Sequence, residues 1–229
     1  EPRVLVNFQI TNNSSIKASY SLMSQSVHLL TNDGTGMPSD LWMPSTSNVK
    51  PEESQQVALG FAKTTQNKLI EISIETYFKN MKNLIAYKAG SSYQNLSENW
   101  ENRIEQDGKG TSYGLEILVQ KVLGKTTGWI GYTLSKTDRQ FNNLNFGKSY
   151  PFKYDRRNEI NIVVTHKVNS NIDISMVWTY SSGNAITLAT SKYRLYSSDE
   201  FYQQEMPNYD DEDEILIFSE KNAYRMSAF

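Results

Sequence analysis

Few residues of this chain are of types, and at spacings, that could do chemistry. Glu71 and Glu75 lie four apart in KLIEISIETYFK. Paired carboxylates can divide acid and base roles, but in an extended strand both sit on one face with Ser73 between them. The two histidines, His28 and His166, have no set of partners nearby in sequence. GKGTSYG, residues 108–114, has glycines but neither the Lys-Ser/Thr ending nor the following helix of a phosphate loop. Its glycines suit a backbone turning into a strand. The densest charge run, YDDEDE, ends in the acidic stretch Asp210–Glu214. Clustered carboxylates suit calcium, but this spacing fits no EF-hand and a solvated loop is the preferred reading. Cysteine is absent, which removes disulfides, thiolate metal sites and cysteine catalysis. No catalytic, cofactor-binding or metal-binding residue is assigned, and the sequence does not read as an enzyme.

The elements that would carry these residues are strands. In Lys68–Lys79, Ile70, Ile72, Ile74, Thr76 and Phe78 alternate with Glu71, Ser73, Glu75, Tyr77 and Lys79. Successive strand side chains face opposite sides, so one face is apolar and the other polar. The same pattern covers Arg3–Ile10, Ile16–Val27, Ser54–Lys63, Thr111–Val122, Gly128–Lys136, Asn158–Lys167 and Ile172–Tyr180, with a last half-strand at Ala223–Phe229. Nine strands are expected. Short joints (TNNSS, TTQN, LGKT, NSN) alternate with long ones at 28–51, 82–110, 137–155 and 182–222. NLIAYK, at the start of the second long joint, is expected to carry its strand beyond the membrane.

This sorting is how outer-membrane barrels are built, with short turns in the periplasm and long loops outside. The fold class expected is therefore all-β, an antiparallel transmembrane β-barrel. A soluble sandwich gives the same alternation but no reason for the sorted loops. Glu71, Glu75 and Glu116 then face a wet lumen. Trp129, Tyr132, Trp178 and Tyr180, near strand ends, read as an interfacial girdle. Loop aromatics Trp42, Trp100, Tyr193, Tyr196 and Tyr202 are ligand-stacking candidates, with packing among the loops as the competing reading. The near-neutral charge of −2 and lack of a basic stripe argue against nucleic acid. A low mean hydropathy of −0.57 does not exclude a barrel, because only alternate residues meet lipid.

Four segments, in order, carry a resemblance to a known family. IEISIETYFKNMKNLIAY has an acidic residue, an aromatic and a Lys before Asn-Leu-Ile. GKGTSYGLEILVQK has the pattern G-x-G-x-x-x-G-x-E. GWIGYTLSKT is followed by YPFKYDRRNEINIVV, with Asp-Arg-Arg after an aromatic-rich return. They lie within residues 70–164, and they resemble the C-terminal barrel portion of TonB-dependent outer-membrane receptors of the Bacteroidetes type, a resemblance taken to cover about residues 18–182. The resemblance implies about nine strands of a barrel of about 22, a plug domain, the TonB complex as energy source, and nutrient import across the outer membrane of a Gram-negative bacterium. It also implies a surface lipoprotein that captures substrate as a partner. Residues 1–229 would be one partial barrel domain with both ends cut and the plug absent, so the remaining strands, the plug and membrane lipid are expected partners. Two alternatives stand beside this: a small self-contained outer-membrane barrel with a structural or adhesive role, and a soluble β-rich ligand-binding module. An eight-stranded interior must fill with side chains, for which Gly131, Thr133, Ser135 and Ser175 are small.

Overall fold

The computed structural model describes residues 1–31, 40–89, 91, 99–194 and 214–225. In chain order the strands are β1 (Arg3–Thr11), β2 (Ser14–Gln25), β3 (Val27–Leu30), β4 (Leu41–Pro44), β5 (Glu52–Thr64), β6 (Ile70–Tyr87), β7 (Ile104–Lys121) and β8 (Thr126–Gln140). They continue with β9 (Tyr150–Pro151), β10 (Asn158–Lys167), β11 (Asp173–Ser181), β12 (Ala185–Ile186), β13 (Ala189–Arg194), β14 (Glu214–Phe218) and β15 (Tyr224–Arg225). One nine-stranded sheet has the path β1-β2-β5-β6-β7-β8-β10-β11, with β9 added at the end of β8. Every neighbour along the path is antiparallel. The sheet does not close on itself: β1 and β11 are its two edges among the described residues.

Eight of the nine expected strands lie on this path. The ninth does not. Tyr224–Arg225 instead pairs with Ala185–Ile186 in a separate two-stranded sheet, and β9 supplies the ninth member. Each short turn is a hairpin. Asn12 and Asn13 form the first, and in the second Thr65 Oγ1 accepts from Ile70 N at 3.0 Å while Asn67 Oδ1 accepts from Leu69 N at 3.1 Å.

The register makes the two faces continuous. Phe8, Ile16, Phe61, Ile74, Ile117, Tyr132, Ile160 and Tyr180 are successive cross-strand partners from β1 to β11. Most of this face is exposed, with Phe8 66% accessible and Met176 55%, while Ile117, Tyr132 and Ile160 are half-buried. A contiguous apolar surface of this size marks contact with lipid or with a partner.

The apolar band crosses the rows of partners obliquely. One row reads Val4, Tyr20, Val57, Phe78, Tyr113, Lys136, apolar until its last member. Three partner rows nearer the short turns, another reads Ser14, Lys63, Ile72, Val119, Ile130, Ile162, Trp178, polar at its first members. The centre of the band therefore moves by about five residues from β2 to β11, roughly 17 Å at ~3.3 Å per residue. Those strands are six steps apart, roughly 29 Å at ~4.8 Å per step. The strands thus cross the band at roughly 30°, close to the ~35–45° tilt of membrane barrels.

β6 and β7 are 18 residues each, so β6 does continue through Asn-Leu-Ile-Ala-Tyr, and the long joint after it starts at Lys88. At ~9–11 residues per membrane crossing, their outer thirds stand clear of the band. A bulge at Asn83, with φ 57°, resets the alternation there. Met81, Leu84 and Ala86 then pack on the polar-face side with Phe141, Leu144 and Tyr150. Ile85 and Tyr87 pack on the opposite side with Leu30, Val49 and Ile104. The buried core therefore lies not between sheets but around this projecting end, held by loops 26–51 and 141–157. Burial raises the Tyr87 phenol above its ordinary value.

Candidate functional site

On the polar face, Asn7, Lys17, Gly60, Glu75, Glu116, Thr133, Glu159 and Ser181 form one row of cross-strand partners. Glu75 and Glu116 are directly opposed, an arrangement that is unfavourable by itself and tolerable in a hydrated space. The Glu75 side chain folds over Gly60, where a Cβ would stand 3.3 Å from its Oε2. Glu159 accepts from Asn161 Nδ2 at 2.9 Å, and Asn161 Oδ1 accepts from Thr179 at 2.9 Å. Lys17, Ser73, Glu75, Glu116, Trp129 and Asn161 line a hollow of about 430 Å³. Glu71 lies on the same face nearer the turns, opposite Gln120. Small, polar and charged side chains predominate on this face, while their strand neighbours carry the apolar surface.

Tyr132 and Tyr180 share a row on the apolar face, and Trp178 stacks on Tyr180 with centroids 6.4 Å apart. Tyr132 donates its hydroxyl to Asn158 Oδ1 at 2.8 Å. Trp129 is a correction. It lies an odd number of residues from Tyr132 and so faces the other way. Its ring lies over Gly131, where a Cβ would come within 3.3 Å of it. Trp129 belongs to the wall of the hollow, not to a girdle. Tyr20 and Tyr113, cross-strand neighbours of Val57 and Phe78, are apolar-face aromatics that the strand-end criterion missed.

Of the loop aromatics, Trp42 in β4 is 63% exposed, whereas Trp100 packs against the cluster around Tyr87 and Ile104. For Trp100 packing accounts for the residue. Tyr193 lies in β13. Tyr196, Tyr202 and Asp210–Asp213 lie outside the described residues. Among the described residues, no group of three or more His, Asp or Glu side chains is arranged to hold a metal ion. Among the described residues, neither histidine has an acidic hydrogen-bond partner. His28 is buried, with Nε2 3.2 Å from Ser45 Oγ and 3.0 Å from Lys50 O, and His166 Nδ1 is 2.8 Å from Thr126 Oγ1.

The loops above the polar face hold a buried charge that the sequence did not single out. Asp155 has a fully buried carboxylate that accepts from Thr137 N at 2.7 Å and Arg157 Nε at 2.7 Å, and also from Arg225. It joins the end of β8 to the Asp-Arg-Arg turn and to β15. The Asp-Arg-Arg motif was the available signal. Lys153 and Tyr154 both contact Asp40, tying this loop to the one before β4. Loop 26–51 is tied to loop 88–103 in turn, since Glu101 accepts from Thr46 and Asn48 at 2.7 and 2.8 Å. Those hydrogen bonds hold the Glu101 carboxyl below its ordinary value.

Between Phe141 and Tyr150 the chain makes a turn with an unusual backbone. Asn145, Phe146 and Gly147 all have positive φ, at 52°, 56° and 72°. Asn and Gly suit this region, but a bulky aromatic there is an outlier that costs roughly 1–2 kcal/mol. The turn is fixed by Gly147 N to Leu144 O, Gln140 Nε2 to Gly147 O and Lys221 N to Asn145 Oδ1, at 3.0, 2.7 and 3.1 Å.

A meandering antiparallel sheet with one lipid-like face, one wet face, sorted loops and tilted strands is a segment of transmembrane β-barrel wall. The chain belongs to the TonB-dependent receptor-like β-barrel family, whose family model matches residues 1–221. It is located in the outer membrane of Gram-negative bacteria, where barrels of this family lie. No curated protein sequence matches the chain. Solved structures share the fold at low identity. The ferric-catecholate import receptor Fiu from E. coli K12 aligns at 15% identity with a TM-score of 0.56, over 80% of this chain and 24% of that one. The ferripyoverdine receptor of Pseudomonas aeruginosa aligns at 14% and 0.55, over 95% and 25%. FpvAI, in its complex with pyocin S2, aligns at 12% and 0.54, over 94% and 25%. The chain thus spans about a quarter of each of these structures.

Proposed function

We propose that this chain is part of the barrel of a TonB-dependent receptor that imports a nutrient across the outer membrane. The observation that carries this reading is the eight-strand apolar row running beside the row of Lys17, Glu75, Glu116 and Glu159. In this reading Ile74, Ile117 and Ile162 face lipid, and Glu71, Glu75 and Glu116 face a lumen that a plug occupies. The free edges of β1 and β11 pair with further strands, because an unpaired edge in lipid costs several kcal/mol per backbone group. That requirement counts against a self-contained barrel made of this sheet alone. Loops 26–51, 88–103, 141–157 and the segment after β11 lie outside the cell, and the hairpin turns in the periplasm. The reading assigns no enzymatic role. The strand motifs that resemble the Bacteroidetes type support a surface lipoprotein as a further partner.

The test is capture of the intact receptor, extracted from outer membranes, by the periplasmic domain of TonB. Binding that survives truncation of the barrel loops and disappears when the plug is deleted is expected. An intact polypeptide that lacks a plug and ignores TonB would replace transport with a structural role.

A further inference from the structure

Trp42 stands outside the barrel wall, not over its mouth. In the β3–β4 hairpin His28 and Leu30 are buried and Met43 packs inward, so the alternate residues Val27, Leu29, Trp42 and Pro44 face away. The inward side packs on Ile85 and Tyr87, which lie on the apolar-face side of β6. Trp42 therefore points away from the wall, above the apolar band, and it is 63% exposed with Val27 42% exposed beside it. β6 is the fourth strand of the sheet path, so this surface is remote from the open edges at β1 and β11. It continues upward from the face that meets lipid.

Below the hairpin lies a pair of lysines. Ile70 to Asn80 supplies the ~11 residues of one membrane crossing. Lys82 follows on the same face, about 7 Å further along at ~3.3 Å per residue. That depth falls in the headgroup layer, which is roughly 5–8 Å thick on each side of the hydrocarbon. Met81 pairs with Gly110, so Lys82 and Lys109 come next as neighbours across β6 and β7, and both are exposed. Asn83 Nδ2 donates to Pro51 O at 2.9 Å, which hangs loop 26–51 immediately above them. The carboxylates nearby are Glu53, Asp107 and Asp138. Asp138 is paired with Lys136 at 2.8 Å. Among the described residues, neither Glu53 nor Asp107 forms an ion pair with Lys82 or Lys109. The pair is marked by juxtaposition and not by net charge. Two ammonium groups side by side on neighbouring strands are unfavourable, and an anion that bridges them relieves this.

We propose that Lys82, Lys109 and Trp42 form an exterior site for a phosphorylated glycolipid of the outer leaflet. The lysines hold its phosphate at headgroup depth, and Trp42, higher on the same side, stacks on a sugar ring of the headgroup. Going outward along the wall, the order is apolar band, lysine pair, exposed tryptophan. The order in such a lipid is acyl chain, phosphate, sugar. The assignment rests on the outer-membrane location and does not depend on import.

The test uses the intact receptor, delipidated in detergent, with deep-rough lipopolysaccharide and its dephosphorylated form as probes and binding read by native mass spectrometry. Lys82→Gln with Lys109→Gln should weaken the phosphorylated probe by about thirtyfold and leave the dephosphorylated one unchanged. Trp42→Ala should weaken both by about fivefold, and Trp42→Phe should retain both. Excess inorganic phosphate should not displace the lipid, because a free anion lacks the acyl and sugar contacts. The heat-modifiable fraction of each variant confirms an assembled barrel. Full binding of the phosphorylated probe by the lysine variant overturns the proposal. So does equal loss of both probes there, or displacement by phosphate, which would make this a site for the free anion. A Trp42→Ala receptor that keeps the lipid but loses a dimer overturns it in favour of contact between two copies.

Discussion

Ile162 is the middle apolar residue of β10, between Ile160 and Val164, with Ile130 and Trp178 as cross-strand partners. Replacing it by Arg places a charge near the centre of the band, where the cost is roughly 2–4 kcal/mol. At ~1.4 kcal/mol per decade, the assembled fraction should fall by roughly 30- to 1000-fold relative to the unassembled pool. Asn161, its neighbour, faces the hollow beside Glu159. Asn161→Arg adds the same side chain, gains a carboxylate nearby and should assemble normally. Lys63 sharpens the comparison, because it belongs to the same row of partners as Ile162 yet is already charged. The tilt carries Lys63 to the edge of the band and leaves Ile162 inside it, so Lys63→Arg should be neutral. The assay is the heat-modifiable fraction of the intact receptor in outer membranes. Equal loss for Ile162→Arg and Asn161→Arg would refute the division of faces. A loss for Lys63→Arg matching that of Ile162→Arg would refute the tilt.

Three further outcomes follow from the loops. Asp155→Asn leaves Arg157 and Arg225, each about a third exposed, around a neutral buried amide. A local cost near ~3 kcal/mol, the low end for a broken buried pair, should appear as faster hydrogen exchange at Thr137 and in 182–191, with mid-strand amides of β6 unchanged. Gly108→Ala would put a Cβ 2.3 Å from Phe141 Cε1 and 2.9 Å from Leu84 O. Displacing Phe141 should cost about 1–3 kcal/mol and expose 141–157 to protease while the membrane-spanning strands stay protected. Glu101 has a lowered folded-state pKa, so its contact with Thr46 and Asn48 is present in full above the ordinary value of 4.5 and is lost as pH falls through the lowered one. Cross-linking between residues 48 and 101 should therefore hold at neutral pH and fade only below about 4.5. Fading already between pH 6 and 7 would contradict that assignment.

Much of the sheet is legible in the sequence because period-two alternation with a buried or lipid-facing side is a strong signal. Ile70 to Phe78 could hardly be read otherwise. The signal fails where its cause is absent. In Met81–Tyr87 both sides of the strand are covered by loops and the Asn83 bulge shifts the phase, so alternation gives way to a continuous apolar run. Residue type and proximity to a strand end suggest a girdle for Trp129, although its odd offset from Tyr132 puts it on the other face. Tyr224–Arg225 has the local look of a sheet strand, but its partner is set by the Asp155–Arg225 contact, which no local pattern reveals. The tilt emerges only from the register of the paired strands.

The central claim is that one face of this sheet meets lipid and the other water. Single cysteines at each position from Glu71 to Lys79 of the intact receptor, carrying a nitroxide, can be tested against a lipid-soluble and a water-soluble relaxant. The account predicts two antiphase alternations of period two, with 72, 74, 76 and 78 relaxed by the lipid-soluble agent and 71, 73, 75 and 77 favouring the water-soluble one. In-phase profiles, or no alternation with either agent, would contradict it.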